Sequence, residues 1–164
     1  MKKLIAAMLV ALAAGCATSG NAPSVPASLR APAGETLALE TAASGVQIYE
    51  CRAGKWEFRA PEADLYDRAG NKVGKHYAGP TWESNDGSKV VAAVAARGDA
   101  PDANAIPWLL LTAKSNAGYG IFGRTKSIQR VSTAGGTTPA EQCGPENAGR
   151  VARVAYKATY YFYH

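Results

Sequence analysis

Two histidines and three cysteines are all that 164 residues offer for imidazole or thiolate chemistry. A zinc site takes three or four protein ligands at short, recognisable spacings. His76 and His164 stand far apart, and Cys16, Cys51 and Cys143 form no C-x-x-C pair. No metal site is expected. No apolar run is long enough for a permanent membrane-spanning helix. No amphipathic pattern exceeds about two helical turns, and no repeat of solenoid or propeller length is present. Charge of one sign is never concentrated: the basic residues are scattered from Arg30 to Lys157. Nucleic-acid binding needs a clustered basic patch, so no nucleic acid is expected as a partner. A G-x-S-x-G nucleophile elbow is also missing. Ser84 and Ser88 lie near His76 in sequence without forming one.

The first sixteen residues carry the clearest pattern. Met1-Lys2-Lys3 is a basic start, residues 4–14 are an apolar run, and Ala13-Ala14-Gly15 precedes Cys16. A charged n-region, a short h-region and small residues before the cut make a secretory signal. The arrangement resembles the lipobox of bacterial lipoproteins, in which the cysteine thiol takes a diacylglycerol. Residues 1–15 are therefore expected to be a signal peptide and Cys16 the lipidated residue. Ala17, rather than Asp, follows it. That choice points to the outer membrane, with the domain facing the periplasm. The mature chain would hold 149 residues, enough for one domain. Its net charge would fall from +5 to +3 as Lys2 and Lys3 leave.

With Cys16 committed to lipid, Cys51 and Cys143 remain in an oxidising compartment. A bridge between them is expected. The alternative is two buried free thiols; a redox pair has no C-x-x-C spacing behind it. Residues 16–33 are rich in Ala, Ser, Pro and Gly, with Arg30 the only charge, and are expected to be a flexible tether. The folded domain is expected over residues 34–164.

Beyond the tether the period is two. Lys55-Trp56-Glu57-Phe58-Arg59-Ala60 places charge on one face and Trp56, Phe58 and Ala60 on the other. Ala53-Gly54 predicts a hairpin turn before it. Further turns are predicted at residues 67–71 and at Asn85-Asp86-Gly87. Residues 90–96 and 108–112 suit buried strands, although the alanines of the first leave a helix open. In the last segment Val154, Tyr156, Ala158, Tyr160 and Phe162 share one parity. The opposite parity holds Arg153, Lys157, Thr159, Tyr161 and Tyr163. Many short strands with close turns predict an all-β fold, an antiparallel sandwich or small barrel with little helix.

Several motifs in order carry a family resemblance. They include Gly45-Val46-Gln47-Ile48-Tyr49-Glu50-Cys51 and Trp56-Glu57-Phe58 with Ala60-Pro61-Glu62-Ala63. His76-Tyr77-Ala78-Gly79-Pro80-Thr81-Trp82-Glu83 and Asp86-Gly87-Ser88 follow, then Ile106-Pro107-Trp108-Leu109-Leu110. The last are Ser127-Ile128-Gln129-Arg130-Val131, Thr133-Ala134-Gly135-Gly136 and Cys143. Together, over residues 32–163, they resemble the domain-of-unknown-function family numbered 3455, which has bacterial exported and fungal members. The resemblance implies no established activity. Some fungal relatives carry a malate dehydrogenase label, and nothing in these residues supports it.

Gly118-Tyr119-Gly120-Ile121-Phe122-Gly123 fits G-x-G-x-x-G, but that fingerprint needs a helix after the turn. Arg124-Thr125-Lys126-Ser127-Ile128 has no helical pattern. A glycine-rich loop between strands is expected, and no cofactor. Residues 76–83 are the candidate ligand site: His76, Tyr77, Trp82 and Glu83 sit around a bend at Gly79-Pro80. The rings could stack on a sugar or apolar molecule, and His76 could act as a base. The competing reading is a structural turn. Trp56, Trp82 and Trp108 are expected as core anchors, and the C-terminal tyrosines as sheet cover or, alternatively, an aromatic binding strip. The expected function is a non-catalytic, membrane-tethered β-domain binding a small molecule, glycan or envelope partner. The alternatives are a hydrolase pairing His76 with a carboxylate, a glycosidase pair such as Glu50 and Glu83, and a purely structural envelope protein. No catalytic residue is assigned.

Overall fold

The structure, a computed structural model, describes residues 21–164. The expected signal peptide, Cys16 and the first part of the tether lie outside the described residues. Eight antiparallel strands close into an up-and-down barrel: β1 Leu37–Arg52, β2 Lys55–Tyr66, β3 Lys72–Tyr77, β4 Thr81–Ser84, β5 Lys89–Gly98, β6 Trp108–Ala117, β7 Ser127–Gly135 and β8 Val151–Tyr163. Of the two expected all-β architectures, this is the small barrel. Each strand pairs with its sequence neighbours, and β8 returns to β1 over their whole lengths. Closure gives every strand a partner on both sides, which an open sheet could not do, although β2 and β5 outreach the short β3 and β4 towards one end.

The local rules explain the turns. Ala53 (φ 48°) and Gly54 (φ 77°) both adopt the left-handed conformation that a two-residue hairpin matching strand twist requires. The Asp67 carboxylate accepts from the Ala69 and Asn71 backbone N–H groups and closes the β2–β3 turn. Residues 89–98, where the alanines left a helix open, form β5, paired with β6 along its length and with β4 over Lys89–Val91. In β8 the parity holds: Tyr156, Ala158, Tyr160 and Phe162 all point into the barrel and are buried.

Three expectations change. The β1–β2 register shifts at a bulge beside Ile48 and Tyr49, so Tyr49 opposes Phe58 while Ile48 opposes Ala60. The extra residue reverses parity along β2. Trp56, Phe58 and Ala60 therefore do not share one buried face, and Phe58 is 52% exposed. Among the tryptophans only Trp82 is a core residue; Trp56 and Trp108 are half-buried. The third change concerns residues 16–33, whose described part is not wholly a tether. A short 3-10 turn, Ala27–Leu29, lies against the outside of the barrel with Leu29 fully buried. The Gln129 side-chain amide donates to the Leu29 carbonyl at 2.6 Å. Tyr163, on the outer face as its parity requires, is buried there too and donates to Gln129 at 2.5 Å.

The two ends of the barrel differ. At one end β1 begins and β8 stops, tied by reciprocal backbone bonds between Thr36 and His164. A 3-10 turn, Ile121–Arg124, closes this end with buried Phe122, whose ring lies 4.6 Å from that of Phe162. At the other end sit the Ala53-Gly54 turn, the bend at residues 78–80, and the loops 99–107 and 136–150. The Cys51–Cys143 disulfide staples the last loop to β1, with a Cα separation of 5.4 Å, and the free-thiol alternative falls away. The Tyr49 hydroxyl donates to the Gly136 carbonyl (2.6 Å) and the Trp56 indole N–H to the Glu141 carbonyl (2.8 Å), fixing the same loop.

Candidate functional site

Alternation decides where the four candidate site residues go. His76 and Tyr77 are consecutive, so they face opposite sides of β3. Across the β3–β4 ladder, His76 opposes Trp82 and Lys75 opposes Glu83. Directly opposed residues share a face. His76 and Trp82 therefore point into the barrel, and Tyr77 and Glu83 point out. Outside, the Tyr77 hydroxyl donates to Glu83 at 2.7 Å, and Lys89 and Lys75 stand 3.3 and 3.8 Å from the same carboxylate. The Tyr77 hydrogen bond, joined by the lysines, holds the Glu83 carboxyl below its usual range. The same bond raises the Tyr77 phenol. The structure thus splits the expected four-residue site into an interior pair and a surface cluster.

Inside, the His76 and Trp82 rings stack at 4.1 Å with 13° between their planes, and Tyr160 meets both edge-on. His76 is fully enclosed, and desolvation lowers its pKa to about 3, so it is neutral at ordinary pH. Its Nδ1 lies 2.9 Å from the Thr81 carbonyl. A carbonyl oxygen can only accept, so Nδ1 carries the proton and Nε2 keeps a lone pair. No carboxylate among the described residues bonds to His76. The expected pairing of His76 with a carboxylate does not occur among the described residues. Trp82, at 1% exposure, is as much core as site. Truncating it would cost about 3–5 kcal/mol of stability, so its loss cannot report on binding alone.

Above this ring floor lies a cavity of about 450 Å³, open at the disulfide end. Eight strands enclose an interior just wide enough for one small ligand, and pockets for such ligands run from roughly 300 to 1,000 Å³. Its walls are Leu109, Leu111, Ile106 and Pro61, and its mouth is set by Tyr49, Phe58, Pro80 and Val94. Phe58 and Val94 are half-exposed there, at 52% and 49%. Three polar atoms on the lining have no hydrogen-bond partner among the described residues: Gln47 Nε2, Tyr160 Oη and Trp82 Nε1. All three residues are at least 98% buried. Burial raises the Tyr160 phenol, which therefore stays neutral. A buried donor left unpaired costs about 1–3 kcal/mol.

A family model described as a protein of unknown function, DUF3455, matches residues 32–164. The chain belongs to the DUF3455 family. No curated protein and no solved structure gives a match. In this DUF3455 chain the motif around His76 supplies His76 and Trp82, two of the three rings of the cavity floor, and Ile106-Pro107 builds part of its wall. The glycine-rich stretch at residues 118–123 lies at the opposite, plugged end. Asp86 accepts from the Ile121 backbone N–H and Ser88 from that of Phe122, seating the plug. A Cβ on Gly120 would come within 2.1 Å of the Asp86 carboxylate, so this glycine serves close packing. No metal-ligating cluster of three His, Cys, Asp or Glu occurs among the described residues.

The polar lining on β1 and β7 was not singled out from sequence: Gln47, Tyr49 and Arg130 also belong to the site. Gln47 offered a signal, being a polar residue on the parity of β1 that also carries Ala43 and Cys51.

Proposed function

We propose that this DUF3455 chain is an envelope lipoprotein whose barrel interior binds a small molecule. The observation that carries the binding reading is the mouth-open cavity of about 450 Å³ with unpaired, buried Gln47 and Tyr160 on its lining. A site built to pair buried polar groups favours a ligand that supplies their partners. The site is the barrel interior, with His76 and Trp82 as its floor, and the bend at residues 76–83 contributes only through its inward residues. Binding without catalysis is the reading that fits a neutral His76 bonded to a carbonyl. The test is titration of the full chain with the neutral fluorophore N-phenylnaphthylamine, with the mouth blocked in a Val94→Trp variant.

The tether and location rest on the sequence. Lys2-Lys3, the apolar run and Cys16 after Ala13-Ala14-Gly15 support lipid attachment at Cys16, and Ala17 supports outer-membrane sorting toward the periplasm. Export with metabolic labelling by a radioactive fatty acid tests this. The chain should carry label in the membrane fraction, and Cys16→Ser should lose the label and leave the membrane. Labelling that survives in Cys16→Ser would refute the assignment.

A further inference from the structure

The cavity holds positive charge that nothing in its lining cancels. Three arginines line it, and no aspartate or glutamate does. Arg59 is spent at the rim, with Glu50 at 2.8 Å and Glu57 at 3.4 Å. Arg97 and Arg130 make no ion pair among the described residues. Arg130 uses Nε and Nη2 on one acceptor, the Pro107 carbonyl, at 3.2 and 2.8 Å. That leaves Nη1 without a hydrogen-bond partner among the described residues, near enough to the Tyr160 phenol to oppose the rise that burial causes there.

The ladder fixes where the two free guanidinium groups stand. Leu109 on β6 opposes Arg97 on β5 and Arg130 on β7. Opposed residues share a face, and Leu109 faces the interior. The arginines therefore flank one inward position from the two neighbouring strands, their Cα atoms two strand spacings or about 10 Å apart. Long side chains from such positions can converge on one group between them. Arginine presents a planar fork of donors matched to a carboxylate or similar oxyanion. Other charge in the lining is excluded, because His76 is neutral and the neighbouring phenols are held in their neutral form.

We propose, resting on the binding reading above, that the ligand is an organic anion. Its acidic group pairs with Arg97 and Arg130, its apolar body lies on the Trp82 floor, and a polar atom meets Gln47. A neutral glycan or a cationic molecule would leave the half-buried Arg130 guanidinium, and Arg97 at the rim, without a counter-charge. An acidic group instead supplies the charge that the lining lacks.

The test compares two fluorophores that differ in one group. Anilinonaphthalene sulfonate carries an acidic group, and N-phenylnaphthylamine is its neutral counterpart. With the full chain, the sulfonate is expected to bind about tenfold more tightly, the scale of one charge-assisted contact. Arg130→Gln and Arg97→Gln should each weaken the sulfonate several-fold, and by more than they weaken the neutral dye. Arg97 is exposed and unpaired, so its variant keeps the test sound should Arg130→Gln fold poorly. Equal affinity for the two dyes, unchanged in Arg97→Gln, would overturn the anion proposal while leaving a binding cavity. Failure of both dyes to bind the unaltered chain would overturn the binding reading together with it.

Discussion

His76 shows how a single residue can be found in a sequence and still be misassigned. Its ring, next to Tyr77 and within reach of Glu83 in sequence, suggested acid–base or ligand chemistry. A period of two separates it from both, and burial against Trp82 and Tyr160 makes it a neutral donor to Thr81. That burial has a pH signature. In the folded chain the His76 pKa is about 3 against an ordinary 6.5. Between those values the unfolded chain binds a proton that the folded chain refuses, so stability falls as pH drops through that window. Above 6.5 His76 contributes no slope. Urea midpoints measured between about pH 4 and 7 should therefore fall more steeply for the unaltered chain than for His76→Asn. That variant is expected to be less stable overall, because it opens space in the core. Equal slopes would contradict the account of His76 as a buried neutral imidazole.

At the scale of elements, the regular strands were legible and the irregular ones were not. β8 keeps one register from Tyr156 to Phe162, so its alternation maps directly onto inside and outside. β2 contains a bulge opposite Ile48 and Tyr49, and a bulge leaves no compositional mark. The alanines of β5 are indifferent to helix or strand, and their pairing with β6 decides the matter. The Ala27–Leu29 turn was hidden by the polar and proline-rich composition around it. Leu29 packs where β5 has Gly98, whose missing Cβ leaves it room. Leu29→Ala is expected to destabilise the barrel by about 2–4 kcal/mol in urea unfolding, the cost of a truncated buried leucine. A change below about 0.5 kcal/mol would mean that the segment is a tether after all.

For the whole molecule, an antiparallel all-β fold of many strands could be anticipated, but the choice between sandwich and closed barrel could not. A sandwich and a barrel share the same alternation and turns, and they differ only in whether β8 finds β1. The cavity is equally invisible in sequence, since it arises from asymmetry between the ends. Phe122 plugs one end, while the other is held open between the bend at residues 78–80 and the disulfide-stapled loop. Gln47, Arg97 and Arg130 converge only once the sheet is curved, so no local motif announced them.

The interior is proposed to receive a small molecule through that mouth. The most direct measurement is the affinity of the full chain for N-phenylnaphthylamine, before and after Val94→Trp. Val94 is half-exposed at the mouth, so the substitution should leave the melting temperature within about 2 °C. Saturable binding at one site per chain is expected, reduced at least tenfold in the variant as the indole fills the entrance. Absence of saturable binding, or equal binding by the unaltered chain and a folded Val94→Trp, would contradict it.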